Sequence, residues 1–258
     1  VEFDSNWSIR NGAAIWIENS NLIIENSKLN NNFSYSNLGG GGGIWSSESD
    51  IVINNSEFTM NSITGPSSSG IAIRSENCTY NISNTLFKEN FIENYAWCLI
   101  RGLDSEIIID SSEIDNNYFR HAGISNSGQT FIRNTLIHNN VNPSETGGIV
   151  ISTGEYVEIK NTTITNNLSG GRLIGSGDPT DIVDIINSII YNNTYQNKSY
   201  IGANAVNVSY SLIQDGEEFF DDVYPGSALN WLEGNINVDP EFNEDYTLQA
   251  SSPCIDAG

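Results

Sequence analysis

The chain has 258 residues, and its 10 Lys and Arg against 32 Asp and Glu give a net charge of −22. So acidic a chain excludes a nucleic-acid-binding groove and disfavours polyanionic substrates unless a bound cation bridges the like charges. No apolar run approaches the ~20 residues that span a bilayer, so insertion into a membrane is not expected.

One seven-residue string, Asn/Ser-Ser/Thr-x-apolar-x-x-Asn, recurs along the chain, and successive copies begin 23 to 29 residues apart. Such elastic spacing indicates a fixed structural unit with variable connections. The copies are Asn26–Asn32, Asn55–Asn61, Asn84–Asn90, Ser111–Asn117, Asn134–Asn140, Asn161–Asn167, Asn187–Asn193 and a decayed Tyr210–Gly216.

Each copy follows a segment in which apolar residues alternate, such as Leu22 and Ile24, which predicts a strand with one buried face. The first Asn of the copy breaks this alternation, and a bend there turns the Ser/Thr and the apolar residue of the copy inward. A third short strand, often entered through glycine, lies between copies. Its residues Ile15, Ile44 and Ile71 are predicted to occupy equivalent inward positions.

Three short strands per repeat predict an all-β fold, a parallel β-solenoid of about eight coils over residues 1–216. Asparagines stacked at one corner predict a ladder of side-chain amides. This ladder comprises Asn26, Asn55, Asn84, Asn134, Asn161 and Asn187. The pattern fades after Gly216, so residues 217–258 are predicted to form a terminal turn and an irregular C-terminal cap.

The beginning of the sequence predicts a fragment of a longer protein. It lacks an initiator Met and a signal peptide, and Phe3 and Asn6 match the second half of the repeat. We therefore expect further coils, a cap or other domains in the parent chain. The three cysteines are too few for a disulfide framework and lack zinc-binding spacing, which leaves one bridge or three buried thiols as alternatives.

These repeats resemble the right-handed parallel β-helix proteins of the pectate-lyase-like superfamily. The Gly-Gly-x-Ile and Phe-x-x-Asn elements also resemble repeats of polymorphic outer-membrane proteins and bacterial surface adhesins. The tail Gly234–Gly258 is similar to the closing segment of secreted bacterial β-helix proteins. The resemblance implies a right-handed helix, an extracellular or cell-surface location, and a first sheet of Gly-x-Ile strands over which related enzymes bind polysaccharide.

If the glycine-entered strands point isoleucine inward, Trp16 and Trp45 face outward, followed on the next coils by Arg74 and Arg101. Aromatic faces pack against sugar CH groups and Arg donates to hydroxyls or carboxylates, so this line is the predicted carbohydrate-binding site. In the alternative, a long loop covers both tryptophans and the arginines pair with Glu18, Glu48 or Asp104.

The superfamily's lyases use calcium with an Arg or Lys base, and its hydrolases use clustered Asp residues. No complete catalytic set occurs in the sequence. The residues that could contribute to one are Arg74, Arg101, Arg120 and His121. The acidic residues Asp178, Asp181 and Asp184 could hold calcium, or they could be plain surface carboxylates; no other cofactor is indicated.

We therefore expect a secreted or surface-anchored structural and binding module that contacts a polysaccharide or cell-surface glycan and is not an enzyme. The alternative is a polysaccharide lyase that cleaves a uronate polymer by calcium-assisted β-elimination. A third possibility is a mechanical spacer without any ligand.

Overall fold

The computed structural model describes residues 1–35, 40–65, 69–92, 98–152, 154–176, 180–197, 199–201, 204–222 and 228–255. The chain forms an all-β solenoid in which every pair of neighbouring strands is parallel, as the repeat predicts. One short 3-10 helix, Gly216–Phe219, interrupts the strands. Within these ranges, no helix has the length and apolar character needed to cross a membrane.

Three sheets of nine strands each run the length of the solenoid. Sheet 1 contains Ile15–Glu18, Ile44–Ser47, Gly70–Glu76, Cys98–Leu103, Ala122–Asn126, Gly148–Ser152, Ile174–Ser176, Ser199–Ile201 and Phe220–Asp222. Sheet 2 contains Asn21–Glu25, Asp50–Asn54, Thr79–Ser83, Glu106–Asp110, Gln129–Arg133, Tyr156–Lys160, Ile182–Ile186, Ala205–Ser209 and Ala228–Trp231. Sheet 3 contains Glu2–Asp4, Lys28–Asn30, Glu57–Thr59, Leu86–Lys88, Glu113–Asp115, Leu136–His138, Thr163–Thr165, Ile189–Tyr191 and Leu212–Ile213.

Two smaller sheets follow sheet 3 on some of the coils. Their strands are Trp7–Ser8, Phe33–Tyr35, Ser62–Thr64 and Phe91–Ile92, then Val141–Asn142, Leu168–Ser169 and Thr194–Tyr195. Eight strands of sheet 3 come from the eight copies of the repeat, and the ninth, Glu2–Asp4, comes from the partial copy at the beginning of the chain.

The core is filled by inward residues that stack on their equivalents in the coils above and below. The central residue of each three-residue strand of sheet 3 points inward, and Phe58 and Phe87 stack with ring centroids 5.0 Å apart. In sheet 2, alternate residues such as Ile51 and Ile53 are buried, as predicted. No coil encloses enough apolar surface to be stable alone, so stability comes from burial between neighbouring coils.

The bend predicted at the first Asn of each repeat lies between sheet 2 and sheet 3. This corner always has two residues between the strands, and its first residue has a φ between 47° and 51° in all eight copies. Asn tolerates this left-handed conformation better than other side chains that carry a Cβ. The second corner residue, Ser or Thr, is buried, and its hydroxyl accepts a hydrogen bond from the backbone of the preceding coil, as Ser56 does from Ser27.

The predicted amide ladder is present in two separate stretches at this corner, on the exposed surface. Asn55 donates to Asn26 Oδ1 at 2.5 Å, Asn161 to Asn134 at 3.1 Å, and Asn187 to Asn161 at 2.9 Å. Asn84 donates to Asn54 instead of its equivalent Asn55. We call the first asparagines of the repeats, Asn26, Asn55, Asn84, Asn134, Asn161 and Asn187, the outer ladder.

A second, buried ladder is formed by the last Asn of each repeat. The Nδ2 atoms of the six asparagines from Asn32 to Asn167 donate to Oδ1 of the next Asn at 2.9–3.0 Å, and those of all seven, Asn193 included, donate to a backbone carbonyl of the preceding coil at 2.7–2.9 Å. These amides are satisfied inside the protein and hold adjacent coils in register. This inner ladder contains Asn32, Asn61, Asn90, Asn117, Asn140, Asn167 and Asn193.

The register of sheet 1 corrects one predicted equivalence. Ile15 pairs with Ile44 as expected, but the next partner of Ile44 is Ile73, not Ile71. Gly70 is the equivalent of Gly41 in the preceding coil, so aligning Gly70 with Gly43, the last glycine before Ile44, misplaced the inward residue by two positions.

Beyond Gly216, Phe220–Asp222 joins sheet 1 and Ala228–Trp231 joins sheet 2. The segment that follows is irregular and is joined to the solenoid by a bridge between Leu212 and Ile236. All three cysteines are free thiols; Cys78 and Cys98 are buried and Cys254 is half-buried.

Candidate functional site

The four residues of the predicted carbohydrate site occupy one register position on adjacent strands of sheet 1. Trp16 pairs with Trp45, Trp45 with Arg74, and Arg74 with Arg101. The parallel ladder therefore places residues separated by 27 to 29 positions in the sequence side by side. We call these residues the sheet 1 line.

The two tryptophans differ in exposure. Trp16 is 59% exposed, whereas Trp45 is 8% exposed, and their ring centroids lie 6.1 Å apart at an interplanar angle of 50°. Trp45 therefore supports the ring of Trp16, and Trp16 is the one that presents an aromatic face to solvent. One of the two predicted stacking surfaces is available.

Arg74 is engaged within the protein. Its guanidinium forms an ion pair with Glu76 and donates to Ser69 Oγ at 2.9 Å, and the side chain is largely buried. The pairing with an acidic residue expected in the alternative interpretation exists, but the partner is Glu76, which lies two residues along the same strand. Arg74 is therefore a fixed and paired positive charge within the sheet 1 line.

Arg101 lies beside a buried thiol and an imidazole. Cys98 Sγ is 3.9 Å from His121 Nδ1. Burial raises the pKa of the Cys98 thiol, which Arg101 partly opposes, and burial together with Arg101 lowers the pKa of His121. The thiol and the imidazole are therefore neutral at neutral pH. Arg120, the remaining catalytic candidate, is exposed.

The structure describes two of the three residues that were predicted to bind calcium. Asp178 lies outside the described residues, Asp181 is buried, and Asp184 lies on the outer face of sheet 2. The carboxylate of Asp184 accepts hydrogen bonds from Tyr156 and Asn207, both at 2.6 Å. Burial, together with the hydrogen bond to Asp184, raises the pKa of Tyr156. The calcium hypothesis remains a prediction from sequence.

A titratable cluster that the sequence analysis missed lies on sheet 3. Glu113 and Asp115 are on the outward side of one strand, and Asp115 pairs in register with His138 on the next. His138 Nε2 is 2.9 Å from Glu113 Oε1, and His138 Nδ1 is 3.4 Å from Asp115 Oδ1. We call these three residues the sheet 3 cluster. In the sequence, these three residues occupy outward positions of two neighbouring repeats whose first residues are only 23 positions apart, and this pattern could have revealed the cluster.

Three further side chains complete its surroundings. Lys88 Nζ is 2.8 Å from Asp115 Oδ2, and Asn139 Nδ2 is 2.9 Å from His138 Nδ1. Tyr246, from the C-terminal segment, packs on the imidazole at 4.7 Å and donates its hydroxyl to Asn139 at 3.1 Å. The cluster therefore lies where the C-terminal segment contacts the solenoid, with Asp115 and His138 buried.

The environment of Asp115 gives a pH prediction. Burial raises its pKa, but hydrogen bonds from Lys88 and Asn139 and the charge of His138 lower it by more, so its folded pKa is below the ordinary value. The carboxylate therefore stabilises the fold at pH values above its unfolded pKa of about 3.9, and this contribution is lost as the pH falls through the folded pKa.

We expect Asp115→Asn to be less stable than the natural sequence at neutral pH, and the difference to shrink as the pH falls below about 5 and through the lowered folded pKa of Asp115. Urea unfolding at several pH values in the presence of a chelator measures this. The exposed Asp50→Asn is the control and should show no such convergence. A stability difference for Asp115→Asn that stays constant with pH would contradict the role of its carboxylate.

Comparisons of the chain with protein-family models, curated proteins and solved structures gave no significant match. Of the resemblance to the pectate-lyase-like superfamily, the parallel β-solenoid is the part seen in the structure. A function for the chain must therefore be argued from its own geometry.

Proposed function

We propose that this chain is a structural and binding module, part of a secreted or surface-anchored protein, that contacts carbohydrate through sheet 1. The observation that supports this best is the exposed ring of Trp16, held by Trp45 and in register with two arginines on the next strands. The proposal extends the resemblance to pectate-lyase-like proteins and adhesin repeats from the fold to the class of ligand that is bound.

The chemistry of the sheet 1 line fits a sugar chain. The face of an indole packs against the CH groups of a pyranose, and a second ring behind it reduces the entropy lost on binding. Arg101 supplies donors for hydroxyl groups further along the line. The net charge of −22 opposes a polyanion, which favours a neutral glycan over a uronate polymer.

Binding to an array of neutral and uronate-containing glycans tests the proposal. We expect a signal with the natural sequence and a loss of at least about tenfold in affinity with Trp16→Ala, equivalent to about 1.4 kcal/mol. Trp7→Ala is a matched control, because Trp7 is 64% exposed and lies in one of the small sheets, away from the line. Its affinity should equal that of the natural sequence.

Three results would contradict the proposal. An equal loss of affinity with Trp16→Ala and Trp7→Ala would show that binding does not depend on the sheet 1 line. No glycan signal at all would favour a mechanical spacer. The third result is turnover of a uronate polymer with calcium, followed by the absorbance of the unsaturated product and abolished by Arg101→Ala. That outcome would establish the lyase alternative.

A further inference from the structure

We propose that the sheet 3 cluster, Glu113, Asp115 and His138, binds a divalent transition-metal ion of the zinc type. One ligand atom from each residue lies within 4.8 Å of the other two. Zinc bonds to nitrogen and oxygen are about 2.0–2.2 Å long, so tetrahedral ligand atoms lie roughly 3.4 Å apart. A contraction of at most about 1.4 Å therefore completes a three-ligand site.

The backbone fixes two of the three ligands. Asp115 and His138 are register neighbours on adjacent strands, and Tyr246 packs against the imidazole of His138. Glu113 lies two residues before Asp115, so both side chains leave the same face of the strand. The Glu113 side chain is half-exposed, so it is free to adjust and the site is open to solvent for entry of the ion and for a water ligand.

A buried hydroxyl next to the cluster supports a ligand there. Thr165 is the register neighbour of His138 on the following strand and is 1% exposed. Among the described residues, its Oγ1 has no hydrogen-bond partner. A buried polar atom without a partner is costly, and a water molecule on the ion would supply one.

The ammonium group of Lys88 is the main feature that opposes metal binding at the cluster. This ammonium is 2.8 Å from Asp115 Oδ2, so a cation at the cluster must share this carboxylate or displace the Lys88 side chain toward solvent. The ammonium group of Lys88 therefore weakens metal binding. Replacement of Lys88 by a neutral residue should strengthen metal binding.

The ligand chemistry favours zinc over calcium or magnesium. An imidazole with two carboxylates is a set that zinc and its neighbours accept, whereas calcium and magnesium prefer oxygen ligands throughout. The chain has only 2 His and 3 Cys, so few other groups compete for a soft cation. Of these, Cys78 and Cys98 are buried.

Calorimetric titration of tag-free, chelator-treated protein with zinc chloride tests the proposal. We expect saturable binding of one ion per chain and a higher melting temperature in its presence. His138→Gln should weaken the affinity at least about 100-fold, because loss of even an outer-shell partner costs about 10–100-fold. His121→Gln, which changes the other histidine, is the matched control and should bind as the natural sequence does.

Two further variants make the test independent of folding defects at the buried histidine. Glu113→Gln changes a half-exposed ligand and should also weaken binding, with an unchanged circular dichroism spectrum. Lys88→Gln should bind zinc several-fold more tightly. Absence of saturable binding, binding that survives both ligand substitutions, or binding lost in His121→Gln would overturn the proposal, as would weaker binding by Lys88→Gln.

Discussion

Replacement of Asn117 by Asp is expected to lower the free energy of unfolding by about 3–5 kcal/mol, as removal of one partner from a buried charge or polar network does. In the inner ladder, Asn117 Nδ2 donates to Asn140 Oδ1 at 2.9 Å, Phe87 O at 2.9 Å and Asp115 O at 3.0 Å. Asp has nearly the same shape but, when ionised, offers no donor. The substitution therefore brings a negative charge against three acceptors without creating a cavity.

The outer ladder provides the control. Asn161→Asp alters an exposed amide at a left-handed corner, where Asp is also tolerated and water can replace the lost hydrogen bonds. Its effect on the unfolding free energy should stay within about 1 kcal/mol. Urea unfolding at neutral pH compares the two variants, and equal losses would show that the inner ladder has no special role.

Truncation of Phe87 to Ala is expected to cost about 3–5 kcal/mol, the usual range for a buried phenylalanine. Phe87 is fully buried and stacks on Phe58, so its removal opens a cavity between two coils. Phe87→Leu is the matched control, because Leu29 fills the equivalent position in an earlier coil, and it should cost less than about 1.5 kcal/mol.

The same urea unfolding experiment measures both variants. Amide exchange should locate the loss in the coils that adjoin Phe87, because each coil of a solenoid contacts its neighbours alone. A similar cost for Ala and Leu, or a loss spread evenly over the chain, would contradict the packing described for this layer.

The sequence repeat was sufficient to predict the solenoid, the corner at the first Asn, and the inward positions of residues such as Ser27 and Leu29. These features depend on alternation and on local backbone preferences, which a single sequence displays. The equivalence of Ile44 and Ile71 was wrong because Gly70 corresponds to Gly41 and not to Gly43, so counting from the last glycine before the isoleucine placed the inward residue two positions too early.

The site was harder to predict. The sheet 1 line followed from strand alternation, but the burial of Trp45 and the Arg74–Glu76 pair depend on neighbouring side chains that no periodicity specifies. Likewise, both asparagines of the repeat were visible, yet spacing could not tell which ladder is buried. The sheet 3 cluster also depends on Tyr246, which lies more than a hundred residues from His138 and reaches it only through the fold.

The connections between the strands of the solenoid differ in how constant their lengths are, and this difference has a practical consequence. The corner between sheets 2 and 3 has two residues in every copy of the repeat. The path from the inner ladder to the next strand of sheet 1 varies instead: eleven residues lie between Asn32 and Ile44, and four between Asn117 and Ala122. A foreign peptide grafted into the longer path should leave the stack intact, while one extra residue at the short corner would turn the side chains of the following sheet 3 strand onto the wrong face. The solenoid is therefore a scaffold on which loops can be exchanged along one edge.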